Sequence, residues 1–421
     1  TLALLSSQTT QDLPDLVTCP ASVVPVWVKE AAKHFPKLKV RILRKEETFE
    51  QTDEPCLWVA SYTQLRRHRH LLDKVEFRYA VLDEAQLIKN PKAKVTQACL
   101  SIEARNRLAL SGTPIENSAL DLWTIFRFLM PGLLGARKEL ENCLIEDSAK
   151  TLQLLRRQVT PFVLRRMKNE VASELPPKLE TELPCPLNDE QRKAYKALAE
   201  GGLQAHGNDL REAIRQSSMH VFSLLTRLRQ ACCDLGLLPG REHLPACGTK
   251  SDLLIEKLHD LSSSGAKVLV FSQFTTFLSL IKKRIKLEIP HLEILELTGS
   301  TRDRSKPVDR FESSKEPAVM LASLKAAGLG VTLKSADYVF LMDPWWNPAV
   351  EEQAIDRAHR LGRVKPTFIY RMVAQGTIEE RVRQLQLQKK ETFRQVIGEL
   401  EKPSGLAEHF SSLEELIELK D

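Results

Sequence analysis

Two adjacent carboxylates, Asp83 and Glu84, follow the apolar run Tyr79-Ala-Val-Leu82. Such a run forms a buried parallel strand. A strand that ends in acids sets them at the carboxyl edge of a sheet, where α/β folds bind ligands. In phosphate-transferring enzymes the first acid of such a pair holds Mg2+ and the second positions an attacking water. A lone Asp-Glu pair is more often a solvated turn. Here Ser111-Gly-Thr-Pro114 follows the apolar Leu108–Leu110 a short way downstream, and far along the chain Gln353 to Gly362 carries Arg357 and Arg360 in a helical pattern.

Gln353, Arg357 and Arg360 fall at i, i+4 and i+7 and so share one helix face. Three polar groups on one stripe are as readily a solvated face as a site. The guanidinium nevertheless suits phosphate, being planar, always charged and able to bind two oxygens at once.

These residues need sheets to hold them, and the chain is long enough to build them. At 421 residues it should form two domains or more, each with its own core. A charged fraction of 28% with 43% hydrophobic residues describes a soluble globular protein, and a net charge of +6 permits a nucleic-acid partner without demanding one. No apolar run approaches the roughly 20 residues that span a bilayer, so no membrane role is expected. The opening TLALLSSQTT lacks the basic region and cleavage site of a signal peptide. The eight cysteines form no CxxC pair, and Cys232, Cys233 and Cys247 lack zinc spacing, so reduced cytosolic thiols are expected.

Along the chain, Leu16–Cys19, Lys39–Leu43, Leu57–Ala60 and Tyr79–Leu82 read as strands of a parallel sheet alternating with helices. Ser22 is expected to cap the helix through Trp27 to His34. Arg66-Arg-His-Arg-His70 reads as a solvated helix face, with phosphate contact the second reading. From Leu120 to Val163 the pattern is helical, broken at Pro131-Gly132. Leu175-Pro-Pro-Lys178 reads as a linker. Asn188 to Cys233 is helical. A second parallel sheet begins near Lys250, with strands at Lys267–Phe271, Leu292–Leu297, Val319–Ser323 and Tyr338–Leu341. Asp343-Pro-Trp-Trp-Asn-Pro348 reads as an aromatic turn packed between lobes. Thr377-Ile-Glu-Glu380 has the form of a capping box opening a last long helix, with an apolar stripe at Ile378, Val382, Leu385, Phe393, Val396, Ile397 and Leu400.

DEAQ at 83–86, SGTPIEN at 111–117, VLVFSQF at 268–274, LTGST at 297–301, SLKAAGLG at 323–330 and DRAHRLG at 356–362 occur in this order. Together they resemble the successive motifs of the Swi/Snf-type ATPases, the helicase-like, double-stranded-DNA translocases of superfamily two. The resemblance spans nearly the whole chain, and the DEAQ form is similar to bacterial members. It implies an α/β protein of two RecA-like parallel-sheet lobes with helical insertions and a C-terminal brace helix. The first lobe would take residues 1–165, a linker and helical protrusion 166–249, the second lobe and brace 250–400, and a tail 401–421.

The resemblance further implies DNA-stimulated ATP hydrolysis, with ATP and Mg2+ as cofactors. Asp83 would hold Mg2+ and Glu84 the water, while Arg357 and Arg360 would meet the developing charge. Gln86, Gly328, Gly330 and Gln353 would line the nucleotide, and Ser111 and Thr113 would couple its state to the DNA side. Ser22, Thr63, Ser272, Gln273, Thr298 and Lys325 would touch duplex DNA through its phosphates, blind to sequence. A protein partner would be displaced or remodelled, in the cytoplasm and on the nucleoid if the source is bacterial.

No G-x-x-x-x-G-K-[ST] occurs in the chain, and Gly248-Thr-Lys-Ser251 lacks both the upstream glycine and the preceding strand. Leu2–Leu5 reads as a helix already under way, and in the family that helix follows the phosphate-binding loop. The sequence is therefore expected to be a fragment whose nucleotide cradle precedes residue 1, with an incomplete first lobe and no ATPase activity by itself. The rival readings are an RNA-acting or strand-unwinding motor of the same superfamily, and a non-catalytic DNA- or protein-binding scaffold with a degenerate fold. Three positions depart from the family pattern: Ala327 replaces a usual glycine, Thr332 an asparagine and Arg363 a glutamine. Thr332 keeps a hydroxyl but loses an amide, which would weaken a contact to DNA or to the other lobe.

Overall fold

Strand β1 (Asp15–Cys19) and strand β3 (Cys56–Ser61) are buried at every residue, as are the central apolar positions of β4 (Glu76–Asp83). Strands covered on both faces need no alternation of apolar and polar residues, which is why they read as continuous apolar runs. They pair in parallel with β2 (Lys39–Ile42) and β5 (Glu103–Leu110) in the order β2-β3-β1-β4-β5. Successive side chains point to opposite faces. Leu16, Trp58, Ala80 and Leu82 therefore enter one apolar cluster, and Val17, Leu57, Val59 and Val81 enter the other. The computed structural model describes residues 1–7, 13–44, 49, 56–112, 119–164, 166, 172, 174–207, 209–241, 248–301, 303–327, 331–360, 362–396, 412 and 417–419.

The helices of this part are α1 (Leu2–Ser6), α2 (Val24–His34), α3 (Tyr62–Arg67), α4 (Arg69–Leu72), α5 (Lys94–Leu100), α6 (Ala119–Leu129), α7 (Arg137–Glu146) and α8 (Ser148–Val159). Ser22 does not cap α2. The helix starts one turn-residue later, after Val23, with proline in its first turn and no side-chain cap. Proline supplies the helical φ and has no N–H to satisfy, so the cap is dispensable. Buried Arg78 donates to Asp15 Oδ1 at 2.9 Å and to the Leu5 carbonyl at 2.7 Å, which ties α1 to the sheet.

The chain divides into two compact units, Thr1–Arg165 with Thr392–Glu401, and Arg166–Glu391 with Lys402–Asp421. The second unit holds β6 (Lys178–Cys185), β7 (Lys267–Ser272), β8 (Glu293–Leu297), β9 (Ala318–Ser323), β10 (Tyr338–Leu341) and β11 (Thr367–Ala374). All pair in parallel, in the order β6-β11-β10-β7-β9-β8. Its helices are α9 (Asp189–His206), α10 (Leu210–Cys233), α11 (Thr249–Ser263), α12 (Thr275–Glu288), α13 (Ser305–Ser313), α14 (Leu324–Ala327), α15 (Pro348–Ala358) and, up to Glu391, α16 (Ile378–Val396). The second sheet thus starts well before Lys250. Strand β6 lies in the stretch that reads as linker and protrusion, because it is an exposed edge strand bearing Lys, Glu and Pro in place of an apolar run.

The helices α9 and α10 bury Tyr195, Val221, Leu225 and Leu228 against Ile378, Val382 and Leu385 of α16. The described part of the brace stripe therefore packs on the helical protrusion. The side chains of Phe393 and Val396, and residues Ile397 and Leu400, lie outside the described residues.

The decoy Gly248-Thr-Lys-Ser251 opens α11 and serves packing. A Cβ at Gly248 would meet the Cys233 carbonyl oxygen at 2.3 Å. Lys250 is fully buried and donates to the carbonyls of Met342 and Met372 at 2.7 and 3.2 Å and to Glu379 Oε2. Glu379 also accepts from the Ala374 amide at 2.9 Å. The expected capping box is replaced by this arrangement. Thr377 Oγ1 accepts from the Glu379 amide and donates to the Ala374 carbonyl, while Glu379 turns inward to Lys250.

Burial by itself would push the Lys250 ammonium down, but Glu379 beside it outweighs that and holds it above its ordinary range. A raised lysine pKa contributes stability at every pH below the lysine's ordinary value and loses it only in strong alkali. Glu379→Gln is therefore expected to cost about 3–5 kcal/mol at neutral pH, because it strands a buried charge. Urea unfolding followed by circular dichroism checks this, and a loss under about 1 kcal/mol would contradict it.

Candidate active site

Register places the ends of the first sheet in a row. Cys19 lies opposite Ser61, Thr18 opposite Leu82, and Asp83 opposite Leu110. Pro20–Ser22, Tyr62–Thr63, Asp83–Glu84 and Ser111 therefore leave the same carboxyl edge. The half-buried Asp83 carboxylate accepts the Trp27 indole N–H on Oδ2 at 2.9 Å and the Glu84 amide on Oδ1 at 3.0 Å. Its backbone carbonyl accepts the Tyr62 hydroxyl at 2.8 Å. Burial pushes the Tyr62 phenol well above its ordinary range, and the Cys19 thiol is pushed up by burial and by Asp83.

Glu84 has φ +54° and ψ +51°, and it is the only non-glycine residue with positive φ among the described residues. A left-handed glutamate is strained, and such outliers gather at functional sites. A short 3-10 turn, Ala85–Ile88, follows it. Gln86 Nε2 donates to Glu84 Oε2 at 2.7 Å, and Ser111 Oγ donates to Gln86 Oε1 at 2.7 Å. A hydrogen-bonded chain thus runs from the end of β5 to the second acid.

Of the residues expected on the DNA side of this unit, Thr63 is exposed in the first turn of α3. Ser22 is half-buried, and its hydroxyl has no hydrogen-bond partner among the described residues. Thr113 lies outside the described residues.

In the second unit Gln353 and Arg357 lie on α15, both half-buried. Arg360 does not share their helical face. The helix ends at Ala358, and His359 takes φ −89°, ψ +83° with a ring nitrogen 2.7 Å from the Pro176 carbonyl oxygen. Gly362 then turns the chain at φ +87°. Exposed Arg360 donates to Thr332 Oγ1 at 2.8 Å, so the hydroxyl that replaces the family's amide has a definite partner. Arg363 is buried and donates to the carbonyls of Lys334, Lys365 and Pro366 and to Asp337. Its guanidinium fills a packing site that glutamine's shorter amide would not span.

Ser272 ends β7 and Gln273 follows it, and both make hydrogen bonds inside the second unit. Ser272 is fully buried; its hydroxyl donates to Asp343 and accepts from the Phe274 amide at 3.0 Å. With these hydrogen bonds made inside the protein, its side chain shapes the edge. Gln273 is half-buried and accepts from Arg229 Nη1 at 3.2 Å. Arg229, only 3% exposed, also reaches the Pro344 carbonyl, lies 3.7 Å from Asp343, and sits 5.6–5.8 Å from the ring centres of Phe274, Trp345 and Trp346. Burial pushes the Asp343 carboxyl up, against the pull of Arg229.

The tryptophans thus pack inside the second unit, Trp345 on the sheet's cluster and Trp346 on that of the protrusion. Sequence reasoning missed Arg229, although Leu225 and Cys232 place it at core spacing, where a charge signals a buried partner. Thr298 is half-buried after β8, its hydroxyl 2.8 Å from that of Ser300. Gly328, Gly330 and the Lys325 side chain lie outside the described residues.

Residues 1–237 match the family model of the SNF2-related domain, and residues 249–362 match the helicase conserved C-terminal domain. An uncharacterized ATP-dependent helicase of Mycoplasma pneumoniae is 34% identical over 92% of this chain and 38% of its own length. The TATA-binding protein-associated factor MOT1 of Saccharomyces cerevisiae is 31% identical over 94% of the chain and 24% of its own length. The ISWI chromatin-remodeling complex ATPase ISW1 of the same yeast is 31% identical over 89% and 35%. The chain therefore spans well under half of these relatives. The solved Sulfolobus solfataricus SWI2/SNF2 ATPase core in complex with dsDNA is 31% identical, with a TM-score of 0.48 over 97% of this chain and 87% of that one.

Proposed function

The chain belongs to the SNF2-related domain family, and on that premise we propose that it forms the core of an ATP-driven motor that moves along double-stranded DNA. The observation that carries the reading is the row at the first sheet's carboxyl edge: Asp83, the left-handed Glu84, and the Glu84–Gln86–Ser111 chain. An oxygen-only donor suits a hard divalent cation, and each Asp83 oxygen accepts one N–H while keeping lone pairs for a metal. Asp83 would hold Mg2+ with ATP. The bound ion would neutralise charge on the β- and γ-phosphates.

Glu84 is an acceptor placed to orient water, and Gln86 and Ser111 fix its carboxylate. Gln353, Arg357 and Arg360 offer donors for nucleotide phosphates, and Gly328 and Gly330 are proposed to line the nucleotide with them. Thr113 joins Ser111 in coupling. The activity is one of positioning and electrostatics.

On the DNA side, Ser22, Thr63, Gln273, Thr298 and Lys325 supply small polar and cationic groups of the kind that grip phosphates. A partner displaced from or remodelled on DNA is part of this reading, in line with the name of one relative, a chromatin-remodeling complex ATPase, and a cytoplasmic location, nucleoid-associated in a bacterium, is proposed with it. Binding should then be blind to sequence and steeply salt-dependent, falling by roughly 0.9 log units per log unit of salt for each phosphate neutralised. Fluorescence-anisotropy titrations of two unrelated duplexes over a salt series, with and without an ATP analogue, test this in the full-length protein. A salt-insensitive affinity, or more than about a tenfold preference for one duplex, would overturn the reading.

A further inference from the structure

Two helices that leave the first sheet at its carboxyl edge each send one hydrogen-bond donor to Asp83. Trp27 of α2 donates its indole N–H to Oδ2 at 2.9 Å, and Tyr62 of α3 donates its hydroxyl to the backbone carbonyl at 2.8 Å. The other end of the same peptide plane is also held, since the Glu84 amide donates to Asp83 Oδ1 at 3.0 Å. The plane between Asp83 and Glu84 is thus gripped at both its oxygen and its nitrogen. Rotating it changes ψ of Asp83 and φ of Glu84 together. That grip is what holds Glu84 at φ +54°, a conformation that costs a side-chain-bearing residue roughly 1–2 kcal/mol.

The same two helices carry positive charge outward. Lys29 and Lys33 are exposed on α2, and Thr63, Arg66 and Arg67 are exposed on α3, with Arg69 following on α4. A polyanion drawn to these cations would load α2 and α3 directly, since phosphate neutralisation is the main term in non-specific DNA binding. Each helix then carries both exposed cations and a donor to the acidic peptide.

We propose that Trp27 and Tyr62 are positioning residues that carry duplex engagement from α2 and α3 to the Asp83–Glu84 peptide. Engagement sets the direction of the Asp83 carboxylate through Trp27 and the backbone twist at Glu84 through Tyr62. The inference rests on the reading of Asp83 as the metal-holding acid, and it adds the route by which DNA stimulates that site. Two rigid helices and two hydrogen bonds supply the physical connection that coupling between sites requires.

The test is a coupling measurement on the full-length protein and on its Trp27→Phe and Tyr62→Phe variants, each of which removes one donor and keeps a ring. Mn2+ binding in the presence of a non-hydrolysable ATP analogue is followed by electron paramagnetic resonance, with and without a short duplex. In the unsubstituted protein the duplex should tighten Mn2+ about tenfold, inside the roughly 5–150-fold range of such couplings. In each variant the effect should fall to about twofold or less, with duplex affinity within about threefold and an unchanged thermal midpoint. Reciprocity requires Mn2+ and nucleotide to tighten the duplex by the same factor, which checks each value independently. Full coupling in both variants overturns the inference alone. A loss of coupling that comes with a lowered thermal midpoint and lost duplex binding also overturns it, since the two side chains would then only hold the fold. Absence of Mn2+ binding in the unsubstituted protein would sink the ATPase reading together with the inference.

Discussion

Glu84→Gln is expected to reduce DNA-stimulated ATP turnover by about 10²- to 10⁴-fold, the span associated with a positioned general base. The substitution keeps the size of the side chain, and its amide oxygen can still accept from Gln86 Nε2, which lies 2.7 Å from Glu84 Oε2. The amide nitrogen cannot accept a proton from water, so the loss falls on the chemical step. Backbone strain is untouched, because φ +54° is held by the Asp83–Glu84 peptide and not by the carboxylate. Affinities for ATP and duplex should stay within about threefold, as expected when an interaction matters mainly in the transition state. Single-turnover hydrolysis with separate equilibrium binding measurements makes the distinction. A loss of less than about tenfold would remove Glu84 from the water-positioning role.

The parts of this protein that were legible in its sequence are those where local pattern and burial agree. Strands β1, β3, β7 and β9 are covered on both faces, so burial alone dictates continuous apolar residues and the run announces the strand. Strand β6 gave no such signal. Its first seven positions, Lys178 to Pro184, are exposed or half-buried, and it belongs to the sheet through backbone pairing with β11, to which side-chain type is indifferent.

Helix ends differ from their cap signals where another contact or a nearby proline outweighs the cap residue. Ser22 has the right residue type for a cap, yet proline in the first turn moves the start past it. Thr377-Ile-Glu-Glu380 matches a capping box, yet Glu379 is drawn inward by the buried Lys250 ammonium. Pairs distant in sequence were invisible for a different reason. Trp27 and Asp83 meet only because β1 and β4 are sheet neighbours, and no spacing rule encodes that meeting. Arg229 is the intermediate case: its place on the buried stripe of α10 signals a partner without naming it as Asp343 and three aromatic rings.

Arg360→Ala is expected to lower kcat by about 10³-fold, at the lower end of what a phosphate-facing arginine contributes in related chemistry, with ATP affinity changed by only a few fold. The geometry sharpens this expectation. Arg360 lies beyond the end of α15, so its direction is set by the backbone after His359, which is anchored at Pro176, and by the 2.8 Å bond from Nη1 to Thr332. Thr332→Val removes that acceptor while keeping the shape of the side chain. A typical hydrogen bond contributes about 0.5–1.5 kcal/mol, and the exposure of Arg360 keeps its charged donor within that range, so this variant should cost about 2- to 12-fold in kcat. Arg360→Lys should not restore turnover, because an ammonium is a point charge that cannot reach Thr332 and bind phosphate oxygens in a pair at the same time. In the Arg360→Ala background, Thr332→Val should add almost nothing, since the two residues act as one unit. The measurement is steady-state ATP hydrolysis across these four variants at saturating duplex, with nucleotide affinity read separately. Full additivity in the double variant, or a large loss of ATP affinity with a near-normal maximal rate, would take Arg360 out of the catalytic role.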